Sequence, residues 1–159
     1  MVEHTLKPIY NKDSKILILG TMPSVKSREL SSYYAHPQNR FWKILEKIFE
    51  VKITDKEDFL LNNKIALWDV IASCEIKGSS DNTIKNVKLN KIEDLIKNTN
   101  IKYIFCTGKL AFKLYTKNIL PKTKIEAIYL SSPSPANRRV KFEDIVKEYK
   151  IIKEKLKEE

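Results

Sequence analysis

Four short apolar runs punctuate the chain, each about one strand long, and amphipathic stretches separate them. The runs are Lys15–Leu19, Ile65–Ile71, Ile101–Thr107 and Lys124–Leu130. Each is too short for a buried helix and rich in branched side chains, which predicts strands buried on both faces. The intervening stretches carry helical spacing. Phe41, Leu45, Ile48 and Phe49 form one apolar stripe within Asn39–Phe49. Further helices are expected over Asp55–Leu61 with Thr54 as its cap, Leu89–Asn98, Leu110–Leu120 and Phe142–Leu156. Residues 21–37 and Ser73–Val87 read as polar loops. Strands alternating with helices predict an α/β three-layer sandwich around a central four-stranded parallel sheet. No repeat or linker divides residues 1–159, so one domain is expected.

Composition narrows the class. The chain of 159 residues is 42% hydrophobic and 31% charged, which fits a folded rather than a disordered protein. No run approaches the ~20 apolar residues of a membrane span, and no signal peptide is evident. Two cysteines, Cys74 and Cys106, build no disulfide framework. A cytoplasmic monomer without membrane contact is the expectation. Charge adds a direction. Thirty Lys and Arg against 20 Asp and Glu leave +10. Residues 97–141 hold ten Lys and Arg against one acid, Glu126, whereas residues 141–159 are balanced. Such a concentrated excess fits a nucleic-acid partner, and equally a Lys-rich surface that keeps the protein soluble.

The rare residues fall together. The four arginines, Arg28, Arg40, Arg138 and Arg139, lie in two segments, and the three glycines are Gly20, Gly78 and Gly108. All seven sit in segments that follow predicted strands. In an open parallel sheet ligands bind outside the carboxyl ends of the strands, so the site is expected there. An arginine among many lysines points to a need for a forked, planar donor. Several chemistries drop out. No G-x-G-x-x-G follows the first strand, Gly108-Lys109 lacks the earlier glycine of a phosphate loop, and no G-x-S-x-G is present. His4 and His36 have no partner at zinc spacing, so neither metal nor cofactor is expected.

Three segments carry a resemblance: Gly20-Thr21-Met22-Pro23-Ser24, then Tyr33-Tyr34-Ala35-His36-Pro37-Gln38-Asn39-Arg40-Phe41-Trp42, then Ser132-Pro133-Ser134-Pro135-Ala136-Asn137-Arg138. Together they resemble the uracil-DNA glycosylase superfamily, and within it the hypoxanthine (deoxyinosine) DNA glycosylases. Gly78-Ser79-Ser80-Asp81, after Leu67-Trp68-Asp69-Val70-Ile71, is similar to the same family. The resemblance implies an enzyme that flips a deaminated base out of double-stranded DNA and hydrolyses its glycosidic bond. It places Gly20, Thr21, Met22, Pro23, Tyr34, Asp81 and Ser132 around the base. It places Ser24, Arg28, Ser134, Pro135, Ala136, Asn137 and Arg138 against the DNA, with Ala136 and Asn137 at the tip of a wedge. By the same resemblance Asn39 is the catalytic residue and the protein works on the nucleoid of a prokaryotic cytoplasm.

Departures from the uracil pattern set the expected substrate. Uracil-type members carry Asp or Asn where this chain has Met22, and His or Asn where it has Ser132. Met22 cannot take the part of the first group and Ser132 is a weaker donor than the second, so hypoxanthine is expected over uracil. An amide at Asn39 suits a purine leaving group, whose departure builds positive charge on the sugar. The residues also have plainer readings. Asn39 reads as a helix cap, Tyr34 as loop packing, Asp81 as a turn cap and His36 as a structural hydrogen-bonder. The loss of the first-motif acid also fits a non-catalytic DNA- or nucleotide-binding module, and uracil or xanthine remains an alternative base.

Overall fold

The computed structural model describes residues 1–158; Glu159, the last residue of the expected domain, lies outside the described residues. Strands β1 (Val2–Glu3) and β2 (Ile16–Gly20) open the chain. Helices α1 (Val25–Leu30), α2 (Phe41–Phe49) and α3 (Lys56–Asn62) follow. Next come β3 (Ile65–Asp69), β4 (Ile71–Glu75), a 3-10 turn at Asp81–Thr83 and β5 (Lys85–Leu89). The second half runs through α4 (Ile92–Lys97), β6 (Tyr103–Thr107), α5 (Lys109–Asn118), α6 (Leu120–Thr123), β7 (Ala127–Leu130) and α7 (Phe142–Lys157).

The central sheet has the order β3-β2-β6-β7, and all three pairings are parallel. Alternate residues of β2 feed two separate cores. Ile16 and Ile18 pack with Phe41, Leu45, Tyr149 and Ile152 of α2 and α7. Leu17 and Leu19 pack with Ile92, Leu95, Ala111 and Tyr115 of α4 and α5. These four β2 side chains are fully buried, so each contributes about 1.5–3 kcal/mol of hydrophobic stabilisation. This is the expected three-layer arrangement. The chain leaves β2 to form β3 on one side and returns to form β6 on the other. The strand order therefore reverses between the ends of β2 and β6, the place where such sheets open a ligand crevice.

The structure corrects several expected elements. The Ile65–Ile71 run is broken: β3 ends at Asp69, and after Val70 the chain enters β4 in another sheet. That second sheet is antiparallel, with the order β1-β4-β5. It takes up both ends of the Ser73–Val87 segment expected as loop. Its strand β5 presents Lys85, Asn86 and Lys88 to solvent, and only Val87 and Leu89 alternate as apolar positions, too short a pattern to mark a strand. The expected helix Leu89–Asn98 keeps only Ile92–Lys97, because Leu89 still belongs to β5. Residues 21–37 contain α1, whose cap is Ser24, with its hydroxyl accepting from Ser27 N–H. Asp55, not Thr54, caps α3 by accepting from Asp58 N–H at 3.0 Å. Its carboxylate sits one residue before the first helical position, where a cap must reach the third N–H.

Candidate active site

Gly20 ends β2 at the crevice, and its missing Cβ decides what fits there. A Cβ on Gly20 would lie 2.5 Å from Asp69 Oδ1 and 3.1 Å from Tyr34 Oη. The glycine thus lets a carboxylate from β3 and a phenol from the following loop close on one strand end. Tyr34 adopts φ 52°, a left-handed conformation unusual for an aromatic residue. Its ring stacks on Phe41, with centroids 3.9 Å apart and planes 14° from parallel. Its hydroxyl is buried and has no hydrogen-bond partner among the described residues. Burial raises its pKa above the usual phenol range, and the Asp69 charge adds to this.

Thr21 and Pro23 are buried and Met22 half-buried behind Gly20. The Thr21 hydroxyl donates to Asp81 Oδ2 at 3.4 Å, so the 78–81 segment does reach the first motif. Partial desolvation of its carboxyl raises the Asp81 pKa; the Thr21 hydroxyl opposes this and the Asp69 charge adds to it. On the other side of the crevice, Gly108 follows β6 at φ 89°. A Cβ there would meet Ser132 Cβ at 3.5 Å, which brings the last motif beside β6. The Ser132 hydroxyl accepts from Ser134 N–H at 3.2 Å, leaving its own proton free to donate. The positive end of the α5 dipole starts at the same place.

The residues 36–41 form a turn that closes on itself. Asn39 N–H donates to His36 O at 2.9 Å, and His36 Nδ1 accepts from Gln38 N–H at 3.0 Å. Asn39 Oδ1 accepts from Phe41 N–H at 2.9 Å. His36 is therefore the structural hydrogen-bonder expected. Asn39 satisfies the first N–H of α2, although Arg40 is the formal cap residue and makes no side-chain cap bond. One lone pair of Oδ1 remains, and the amide is held in one orientation. Arg40 N–H donates to Pro133 O at 3.1 Å, so this turn lies against the Ser132 segment.

The wedge segment divides into inner and outer residues. Ala136 and Arg138 are exposed at its tip. Asn137 is folded inward, with Nδ2 donating to Ser132 O at 3.0 Å. Ser134 Oγ accepts from Ala136 N–H at 3.2 Å, and Pro135 is half-buried. Arg28 does not stand free. Its Nη1 donates to Pro23 O at 2.9 Å and its Nη2 to Gly78 O at 3.4 Å, joining the first-motif loop to the 78–81 segment.

Sequence reasoning missed four contributors. Asp69 is 4% exposed at the end of β3 and accepts from His4 Nε2 at 2.8 Å. Glu148 and Tyr149 of α7 hold all polar groups of Ser131. Its N–H and hydroxyl donate to the two Glu148 oxygens, and its carbonyl accepts from Tyr149 Oη at 2.6 Å. Asp69 was legible only as an acid inside the apolar run Ile65–Ile71, within a segment similar to the family; nothing along the chain marked His4 or Glu148. Among the described residues no group of three or more His, Cys, Asp or Glu comes together as a metal site. No helix there is long and apolar enough to cross a membrane.

Comparisons with known proteins fit this geometry. The family profile described as the uracil DNA glycosylase superfamily matches residues 7–154. A protein named hypoxanthine DNA glycosylase from Methanosarcina barkeri is 32% identical over 146 residues, covering 87% of this chain and 90% of that one. One of the same name from Methanosarcina acetivorans is 29% identical over 145 residues, with the same coverage of both. A solution NMR structure from Methanosarcina acetivorans, described as a candidate uracil DNA glycosylase, superposes with a TM-score of 0.79 at 26% identity. That match covers 96% of this chain and 99% of the other.

Proposed function

The chain belongs to the uracil DNA glycosylase superfamily, and from that premise we propose that it is a DNA glycosylase that hydrolyses hypoxanthine from duplex DNA. Two relatives named for that activity, matched over most of their length, support this reading. The observation that carries the choice of base is the pairing of Met22 with an oriented Asn39. The first-motif position offers a thioether, which cannot take a proton from water. The polar group the chain offers instead is the Asn39 amide, oriented by Phe41 N–H.

In this reading an extruded base enters between the ends of β2 and β6 and rests on the Tyr34–Phe41 stack. The remaining lone pair of Asn39 Oδ1 orients the attacking water and faces positive charge developing on the sugar. The Ser132 hydroxyl, free to donate, hydrogen-bonds to the departing base as a weaker donor than His or Asn and keeps its proton. Ala136 and Arg138 at the exposed tip enter the duplex, with Arg138 on the backbone.

The test is a single-turnover excision assay on duplexes carrying hypoxanthine, xanthine or uracil, followed by alkaline cleavage. Scission at hypoxanthine with little at uracil is expected. Strong uracil excision without hypoxanthine excision overturns the choice of base, and binding without any scission overturns the enzyme.

A further inference from the structure

Arg40 makes three hydrogen bonds to one loop. Its backbone N–H donates to Pro133 O at 3.1 Å. Its Nη1 donates to Val140 O at 2.6 Å and its Nη2 to Asn137 O at 2.8 Å. The beginning, bend and end of the segment 133–140 are thus bonded to a single residue. Among the described residues, no other hydrogen bond reaches 133–140 from outside 131–140. Bonds from an ionised donor are stronger than neutral ones, and two in a fixed fork also fix direction. A lysine ammonium is a point charge without that fork.

Arg40 is also the residue directly after Asn39, at the start of α2. Its neighbour Phe41 is fully buried, which anchors this end of the clamp in the core. Asn39 keeps its own bonds to Phe41 N–H and His36 O, and neither involves the Arg40 side chain.

We propose that Arg40 is a positioning residue that locks the 133–140 loop to the Asn39 turn, so that the loop entering the base stack and the amide meeting the extruded nucleotide move as one body. This rests on the glycosylase reading. Removing the fork frees the loop but leaves Asn39 in place. Extruding a paired base then becomes inefficient, because force on the loop is no longer opposed by the body of the protein. Chemistry on a base already unpaired does not need that rigidity.

The experiment compares single-turnover excision of hypoxanthine paired with cytosine and of hypoxanthine inside an unpaired bubble. Wild type, Arg40→Lys and Arg40→Gln are measured side by side, with folding checked by circular dichroism. Both variants lack the two-headed fork. Their rate on the paired substrate is expected to fall about tenfold or more, as for a misplaced positioning group, and to stay within about twofold on the bubble. Equal losses on both substrates, or no loss on either, overturn the inference and leave the glycosylase reading standing. A wild type that excises from neither substrate overturns both.

Discussion

His4 Nε2 lies 2.8 Å from Asp69 Oδ2, across 65 residues of sequence, and the two side chains are only 3% and 5% exposed. The bond joins the N-terminal segment to the end of β3 beside Gly20. The same segment contributes Lys7 O, which accepts from Tyr33 Oη at 2.8 Å. Residues far from the motifs thus hold the crevice from behind.

Breaking this pair should be costly. His4→Ala leaves the buried Asp69 carboxyl without its hydrogen-bond partner, a loss of about 1–3 kcal/mol for an unsatisfied buried polar group. Asp69→Asn in the His4→Ala background should recover part of it, because a neutral amide is cheaper to bury. Urea unfolding of the two variants measures both; a cost for His4→Ala under about 1 kcal/mol would show that water reaches Asp69.

Gly20→Ala tests the packing at the strand end. The new Cβ meets Asp69 Oδ1 at 2.5 Å and Tyr34 Oη at 3.1 Å, so one of these must move. A destabilisation of about 1–3 kcal/mol is expected, with Tyr34 displaced from Phe41. Thermal melting should show a smaller penalty when Asp69→Ala is already present.

Asn39 carries a cap whatever else it does. Asn39→Ala should cost about 1 kcal/mol of stability through the unpaired Phe41 N–H. A transition-state role adds a fall of about 10²–10³ in the single-turnover rate with DNA affinity nearly intact. Asn39→Asp keeps the acceptor for Phe41 N–H and separates the two effects. Near-normal excision by both variants at low temperature would leave Asn39 as a cap alone.

Arg138 is exposed, and among the described residues the only hydrogen bond of its side chain is to Pro135 O at 3.5 Å. Arg138→Ala should therefore leave the melting temperature unchanged. Duplex affinity should fall, and the slope of log affinity against log salt should drop by about 1 if the side chain meets a phosphate. Titration by fluorescence anisotropy at several salt concentrations gives both numbers.

The cysteines should be silent. Cys74 and Cys106 are both buried and unpaired, and burial pushes the Cys106 thiol up to about 12. Only the thiolate attacks, so neither should react with a disulfide reagent in the native protein at neutral pH. Both should react after denaturation, and rapid native labelling would mean that the strand end opens.

What the chain determined alone is what depends on local periodicity. The run Ile16-Leu17-Ile18-Leu19 has to be a strand covered on both faces, because every side chain in it is apolar. The stripe from Phe41 to Phe49 has to lie on a core, and strand alternating with helix leaves a parallel sheet as the economical packing. The grouping of Gly20, Asn39, Gly108 and Ser132 at the strand ends followed from that topology. The β1-β4-β5 sheet left no such trace, because β5 faces water and its polar residues look like a loop. Side-chain targets were also beyond reach. Arg28 and Arg40 read as donors for an outside ligand, yet both spend their forks on backbone carbonyls. His4 found Asp69, and Glu148 found Ser131, only once β3 and α7 were packed. Periodicity is a property of neighbours along the chain. A hydrogen-bond partner is set by whichever unpaired group the folded chain brings within about 3 Å, and that is decided in three dimensions.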